Sequence, residues 1–270
     1  MVEIEKKYKI NVKKFGIINL EGFISLYLRE CSRFFVVWAQ TLLSPLVSSL
    51  LFLTVLTLAI GKDRSDVLGY SFIIFLAPGL IIQSMILQSF SHSTSSLMIS
   101  KMQGNIVDIL MPPLSSTELL LGLSFGGASR GIVVGFIVSI TLYIFVPLQI
   151  SNVIFIIIFS VLSSMLLAVI GVVVGIWAYK FDEIATITNF IITPLSFLSG
   201  TFYSVDRLPL FFQKITLFNP FFYMIDGFRS GFIGYSDSNI YIGILYLLFL
   251  NFFMFSLGYI MLSTGYKLKS

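Results

Sequence analysis

The chain has 270 residues, 57% of them hydrophobic and only 11% charged, with a formal net charge of +4 and a mean hydropathy of +0.97. Soluble domains carry about 25% charge, so this composition excludes a water-soluble domain and predicts an integral membrane protein with one membrane domain. The small basic excess gathers at the N-terminus, which suits anionic lipid headgroups rather than nucleic acid, and the single cysteine, Cys31, excludes an internal disulfide. Residues 1–16 hold Lys6, Lys7, Lys9, Lys13 and Lys14. Glu21, Arg29, Glu30 and Arg33 interrupt the apolar positions beyond them, so no signal peptide is read there. Over 17–34, Ile17, Leu20, Ile24, Tyr27 and Leu28 recur at three- and four-residue steps, which predicts an amphipathic helix lying on the membrane surface.

Residues 1–34 thus read as a tail and interfacial helix, and 35–270 as an all-α polytopic transmembrane domain. Six spanning helices are expected near 35–60, 68–91, 127–146, 151–178, 185–203 and 239–265. With the N-terminus inside, eleven lysines and arginines fall on the inner side, among them Lys101, Lys180, Lys267 and Lys269. Only Lys62, Arg64, Arg207, Lys214 and Arg229 fall outside. The positive-inside rule then predicts that both termini are cytoplasmic. No sequence repeat relates the two halves, which weighs against an inverted-repeat carrier.

The stretch 92–117 is expected to be the main cytoplasmic loop. Met98, Met102, Ile106 and Ile109 share one face at helical spacing, with Lys101, Asn105 and Asp108 elsewhere, and Pro112-Pro113 ends the helix. Two readings stand: a helix coating the membrane surface, or one seated in the groove of a soluble partner. After the fifth span, the apolar run breaks at Ser199-Gly200-Thr201, turns through Asp206-Arg207 and meets Pro209. A half-length piece with Phe211 and Phe212 comes next, stops at Asn219-Pro220, and restarts toward Asp226 and Arg229. Apolar runs of 10 to 14 residues dip into a bilayer more often than they cross it, so an outer re-entrant hairpin is predicted. Broken backbone at that depth must be packed in protein or face a water-filled path.

The blocks 34–61, 67–91, 131–179, 184–205 and 238–266 contain no Asp, Glu, Lys or Arg. That argues against a proton-coupled carrier and against an intramembrane hydrolase. Arg130 is expected to snorkel from a helix end to the inner headgroups. His92, the only histidine, is expected to be a plain interfacial residue, with no metal set around it. No G-x-x-x-x-G-K-[ST] phosphate loop is present, so any ATP is hydrolysed on another chain. Gly122, Gly126, Gly127, Gly131, Gly135, Gly171 and Gly175 are expected to let helices approach closely. Candidates for a substrate pathway are the uncharged polar residues within spans: Gln83, Ser84 and Gln88 in the second helix, and Asn189, Thr193, Ser196 and Ser199 in the fifth. For any one of them the plainer role is an interhelical hydrogen bond.

Several stretches together resemble the ABC-2 type permease family, the membrane subunits of ATP-binding-cassette exporters. They are GYSFIIFLAPGLI (Gly69–Ile81), GNIVDILMPPLSSTEL (Gly104–Leu119), GGASRG (Gly126–Gly131), TPLSFLSGTFYSVDRLP (Thr193–Pro209) and NPFFYMIDGFRSGFIG (Asn219–Gly234). Within the family the likeness runs to a group of bacterial inner-membrane permeases. The resemblance implies six spans, a permease dimer, and two copies of a separate ATPase that carries ATP and Mg, with no cofactor on this chain. It also implies coupling through residues near Met98–Leu110 and a hairpin at Leu208–Arg229. The expected function is therefore the permease of an ATP-driven exporter that moves an apolar or amphipathic substrate out of the cytoplasm. Its rivals are a membrane-embedded lipid- or glycan-modifying enzyme and a non-transporting scaffold.

Overall fold

Three helices joined through small residues form the centre of the molecule: α3 (Phe72–Met102), α5 (Ser116–Phe145) and α6 (Val153–Trp177). The computed structural model describes residues 18–60, 70–205 and 208–267, and among these the regular elements are all helices. On α5, a carbon added at Gly127 or Gly131 would collide with the hydroxyl of Ser93 or Ser89 on α3. On α6, a carbon added at Gly171 would lie 2.8 Å from the Phe90 carbonyl oxygen. Without side chains at these points the backbones meet directly, which is how helices gain van der Waals contact where lipid offers no hydrophobic drive.

The central helices are longer than expected, and the expected 92–117 loop shrinks accordingly. α3 continues eleven residues past position 91, and α5 starts eleven residues before 127. The serine-rich stretch after Phe90 reads as interfacial, yet its hydroxyls turn inward. Thr94 donates to Phe90 O (2.9 Å), Ser95 to His92 O (3.0 Å) and Ser100 to Ser96 O (2.8 Å). Polar residues satisfied by their own helix are compatible with burial. α5 starts with a capping box, Ser115 Oγ accepting from Glu118 N and the Glu118 carboxylate accepting from Ser115 N.

Around this centre the remaining helices pack in layers. α1 (Leu20–Val36) lies on α5, and its start is clamped to the α5 cap: Asn19 N donates to Glu118 Oε1 at 2.5 Å and Asn19 Nδ2 to Pro113 O at 3.1 Å. α2 (Ser44–Ile60) packs on α3 and α5, and α11 (Ile240–Thr264) on α5, α6 and α10 (Pro220–Ile233). Both α2 and α11 leave broad apolar faces open, such as Leu51, Val55, Leu245 and Phe252, as a lipid-facing helix does.

Among the described residues, five helical runs are long and apolar enough to cross a membrane: Ala39–Ala59, Phe72–Met102, Ser116–Phe145, Val153–Trp177 and Ile240–Thr264. The expected crossing at 185–203 differs in form. It is a helical run built of α7 (Phe181–Ile187), a π segment (Thr188–Ile192) and α8 (Thr193–Phe197), of 7, 5 and 5 residues. A second π segment, Ala39–Leu43, precedes α2. Each π segment ends two residues before a proline, Pro45 or Pro194. Proline has no N–H for the i−4 carbonyl, and a wider turn ahead of it absorbs the mismatch.

Candidate functional site

At the foot of α3 the helix stops at Met102, and Gly104 takes φ +73, a left-handed geometry that only glycine adopts freely. The short α4 (Ile106–Leu110) comes next. The expected single helix with one apolar face is therefore two helices around a corner. Met98, Ile106 and Ile109 turn into the protein, where Ile106 and Ile109 pack beside Leu97, Leu119 and Val172. Met102, Val107, Leu110 and Met111 are exposed instead, Met102 by 63%, and Asn105 and Asp108 are exposed beside them. Lys101 is not a free surface charge. Its ammonium donates to the carbonyls of Ile176 and Ala178 (3.1 Å for the latter), capping the C-terminal end of α6 where the helix dipole favours a cation.

At the opposite end of α3 the chain folds the segment 208–234 into two helices. α9 (Leu210–Phe218) is apolar and open: Phe211, Phe212 and Phe218 are exposed, and Thr216 is its buried residue. α10 (Pro220–Ile233) is buried almost throughout against α6 and α3. Asn219-Pro220 makes the corner between them. The Asn219 side chain accepts from Phe221 N (3.0 Å) and donates to Leu195 O (2.7 Å), while Pro220 occupies the first helical turn, where its missing N–H costs nothing.

Two charges on α10 hold the surrounding loops. The Asp226 carboxylate accepts from Ser236 Oγ (2.6 Å), Asp237 N (2.8 Å), Ser238 N (3.0 Å) and Ser238 Oγ (2.6 Å), fixing the turn before α11. The Arg229 guanidinium donates to Gly200 O (2.7 Å) and lies 3.8 Å from the Phe75 ring centroid at the start of α3. It thereby ties the break after α8 to the core. The sequence marks both residues as hairpin candidates; that they are lynchpins of the loops on either side emerges only in three dimensions.

The pathway candidates lie on α3 and along or just after the α7–α8 run. The Ser84, Ser196 and Ser199 hydroxyls donate to Ile81 O, Thr193 O and Ser196 O of their own segments. Gln83 is half-buried, Thr193 half-buried and Asn189 exposed. Gln88 accepts from Arg130 at 2.6 Å.

Comparison with known proteins decides what this arrangement belongs to. The family model for ABC-2 type transporters matches residues 21–233. The chain belongs to the ABC-2 type transporter family. It is thus a membrane subunit of an ABC transporter and not an enzyme. The permease is 34% identical over 213 residues to "Inner membrane transport permease YadH" of Escherichia coli strain K12, covering 79% of this chain and 83% of that one, and it matches the Shigella flexneri protein of the same name equally well. Over 70 residues it is 37% identical to "Nodulation protein J" of Rhizobium leguminosarum bv. viciae, covering 25% of this chain and 27% of that protein.

One cluster in the permease escaped the sequence reading. Glu30 of α1 is fully buried, its Oε2 3.3 Å from His92 Nε2 and 3.5 Å from Arg33 Nη1. Burial pushes the Glu30 carboxyl up, but His92, Arg33 and Ser96 outweigh it and hold its pKa below the usual carboxylate range. Gly126 makes this possible, because any side chain there would strike the Glu30 stem. His92 is therefore a buried partner of Glu30 on α3. Arg130 lies fourteen residues into α5, about 21 Å along it, so it is not at the helix end from which it was expected to snorkel. The available signal was Leu26, Glu30 and Phe34 at i, i+4 and i+8: a carboxylate inside an apolar stripe facing a glycine helix.

Proposed function

We propose that this chain is the permease of an ATP-driven exporter in the bacterial inner membrane. It pairs with a second copy to form the path for an apolar or amphipathic substrate, and two copies of a separate ABC ATPase bind and hydrolyse ATP with Mg. Six crossings are proposed, with Phe181–Phe197 as the fifth in chain order; at about 1.5 Å per residue it is short for a 30 Å hydrocarbon layer. Both termini are cytoplasmic, α1 lies along the membrane surface, and α9–α10 is the outer re-entrant hairpin.

The observation that best supports this reading is the α3–α4 corner. Met102, Val107, Leu110 and Met111 form an exposed apolar knuckle at the end of a 31-residue helix whose other end meets Arg229 of α10. A partner that moves the knuckle moves α3 as a whole, because no break interrupts the helix even at Pro78. The path itself is proposed to run along Gln83, Ser84 and Gln88 of α3 and Asn189, Thr193, Ser196 and Ser199 of the fifth crossing, completed by the second copy. The test is co-expression with the ABC ATPase. Co-purification, ATP hydrolysis by the complex alone, and ATP-dependent loading of inverted vesicles are expected. An isolated permease that hydrolyses ATP, or a complex that never forms, would overturn the reading.

A further inference from the structure

Between α1, α3 and α5 lies a cavity of about 480 Å³, within the size range of small-molecule sites. Its lining includes Arg33 of α1, Gln40 of the π segment Ala39–Leu43, Ser91, His92 and Ser95 of α3, and Arg130 of α5. We propose that this cavity binds the phosphate group of a membrane amphiphile.

Charge balance is the first argument. Glu30 is the one carboxylate in the cluster, and it already faces His92 and Arg33. Arg130 donates to the neutral Gln88 amide, its Nε has no partner, and among the described residues no carboxylate lies within ion-pairing distance. A guanidinium withdrawn from water needs a counter-ion, and here none comes from the described protein. Donor geometry is the second. Two guanidinium forks, an amide and two hydroxyls border the cavity from four chain segments. A carboxylate presents its acceptors in one plane and is saturated by one arginine, whereas a phosphate spreads its oxygens in three dimensions. The third is the rim. Val36 and Trp38, 80% and 57% exposed, continue the Phe34, Val36 and Val37 wall outward, offering an apolar surface for acyl chains beside the polar chamber. An anionic head with an apolar tail matches both halves. This site is separate from the α3–α4 corner, and its occupancy does not depend on export.

The experiment uses the purified full-length permease, delipidated in neutral detergent. Retained lipid is read by native mass spectrometry, and thermal stability is read in parallel. Dioleoylphosphatidylglycerol is expected to be retained and to raise the melting temperature, with dioleoylphosphatidylcholine at least tenfold weaker. Arg130→Gln should weaken retention about tenfold. Ser91→Phe should do the same by filling the cavity from its exposed side without touching either arginine, and so keeps the test valid if Arg130→Gln fails to fold. Soluble glycerol phosphate forms the second arm. If it alone gives the same arginine-dependent stabilisation, the site stands and its ligand is a free phosphate ester rather than a lipid. Equal retention of the two lipids, full retention by Ser91→Phe, or protection by neither ligand would overturn the proposal.

Discussion

Replacing Gly171 by alanine tests the central seam quantitatively. The added carbon would lie 2.8 Å from both Phe90 O and Ser93 Cβ and 3.4 Å from Phe90 Cα. Ordinary contact begins near 3.4 Å, so α3 and α6 must part by about 0.6 Å, and the two obstacles are the Phe90 carbonyl oxygen and the Ser93 Cβ, neither of which a rotamer change removes. Overpacking of this kind costs about 1–3 kcal/mol, and the rigid neighbours put Gly171→Ala in the upper half of that range. At about 2–4 °C per kcal/mol for a chain of this size, the melting temperature in detergent should fall by roughly 4–12 °C. Gly175→Ala is the internal comparison: its nearest neighbours are Leu97 Cβ at 3.0 Å and Thr94 O at 3.3 Å, so the helices need part by only about 0.4 Å, and a smaller loss of about 1 kcal/mol is expected. The double variant Gly171→Ala/Ser93→Gly should recover only part of the loss, because the Phe90 carbonyl stays in place. Equal effects of Gly171→Ala and Gly175→Ala, or a neutral Gly171→Ala, would mean that these backbones are not in contact.

Met102→Glu should leave expression and melting temperature unchanged, since Met102 is 63% exposed, yet sharply reduce co-purification of the ATPase, because docking would bury an unpaired charge; undiminished recovery would reject the knuckle as the docking point. Lys101→Ala should do the reverse, lowering thermal stability through the uncapped carbonyls of Ile176 and Ala178 while ATPase binding per folded molecule holds, which a pull-down normalised to monodisperse protein will check. Asp226→Asn keeps the shape but replaces two acceptor oxygens with one, so about 1–3 kcal/mol is expected to be lost, with faster proteolysis of the 234–239 turn as the readout. For orientation, a cysteine at Met111 in a Cys31→Ser background should resist an impermeant thiol reagent added to intact cells, whereas one at Tyr235 should react; the opposite pattern would invert the proposed topology.

The sequence was most legible where backbone chemistry is local. The Asn219-Pro220 corner, the break at Gly200 and the apolar spans follow from the needs of proline, glycine and an 18-to-20-residue hydrophobic run. It was least legible where a polar residue is satisfied by something distant in sequence. The serines after Phe90 look like a loop until Gly127 and Gly171 are placed against them. Glu30 looks like a surface charge until Gly126 and His92 meet it. The Met98–Ile109 face fails for a different reason: one left-handed residue, Gly104, re-aims everything after it, and a periodicity count that runs through it adds residues belonging to two separate axes.

The backbone contact of α3 with α5 and α6 also limits the motions open to the permease. Helices seated at glycines cannot slide past one another by a fraction of a turn, because the next register brings a side chain to where only hydrogen had fitted. Axial translation and independent rotation are thus both blocked, and the trio keeps the freedoms of a single rigid body: tilt and displacement as a unit. Compliance is left to the periphery, where the two π segments ahead of Pro45 and Pro194 have given up the regular hydrogen-bond ladder. A stroke delivered at Met102 would therefore reach Phe75 undiminished across about 40 Å of helix. Relative motion would then appear in α2 and in the α7–α8 run.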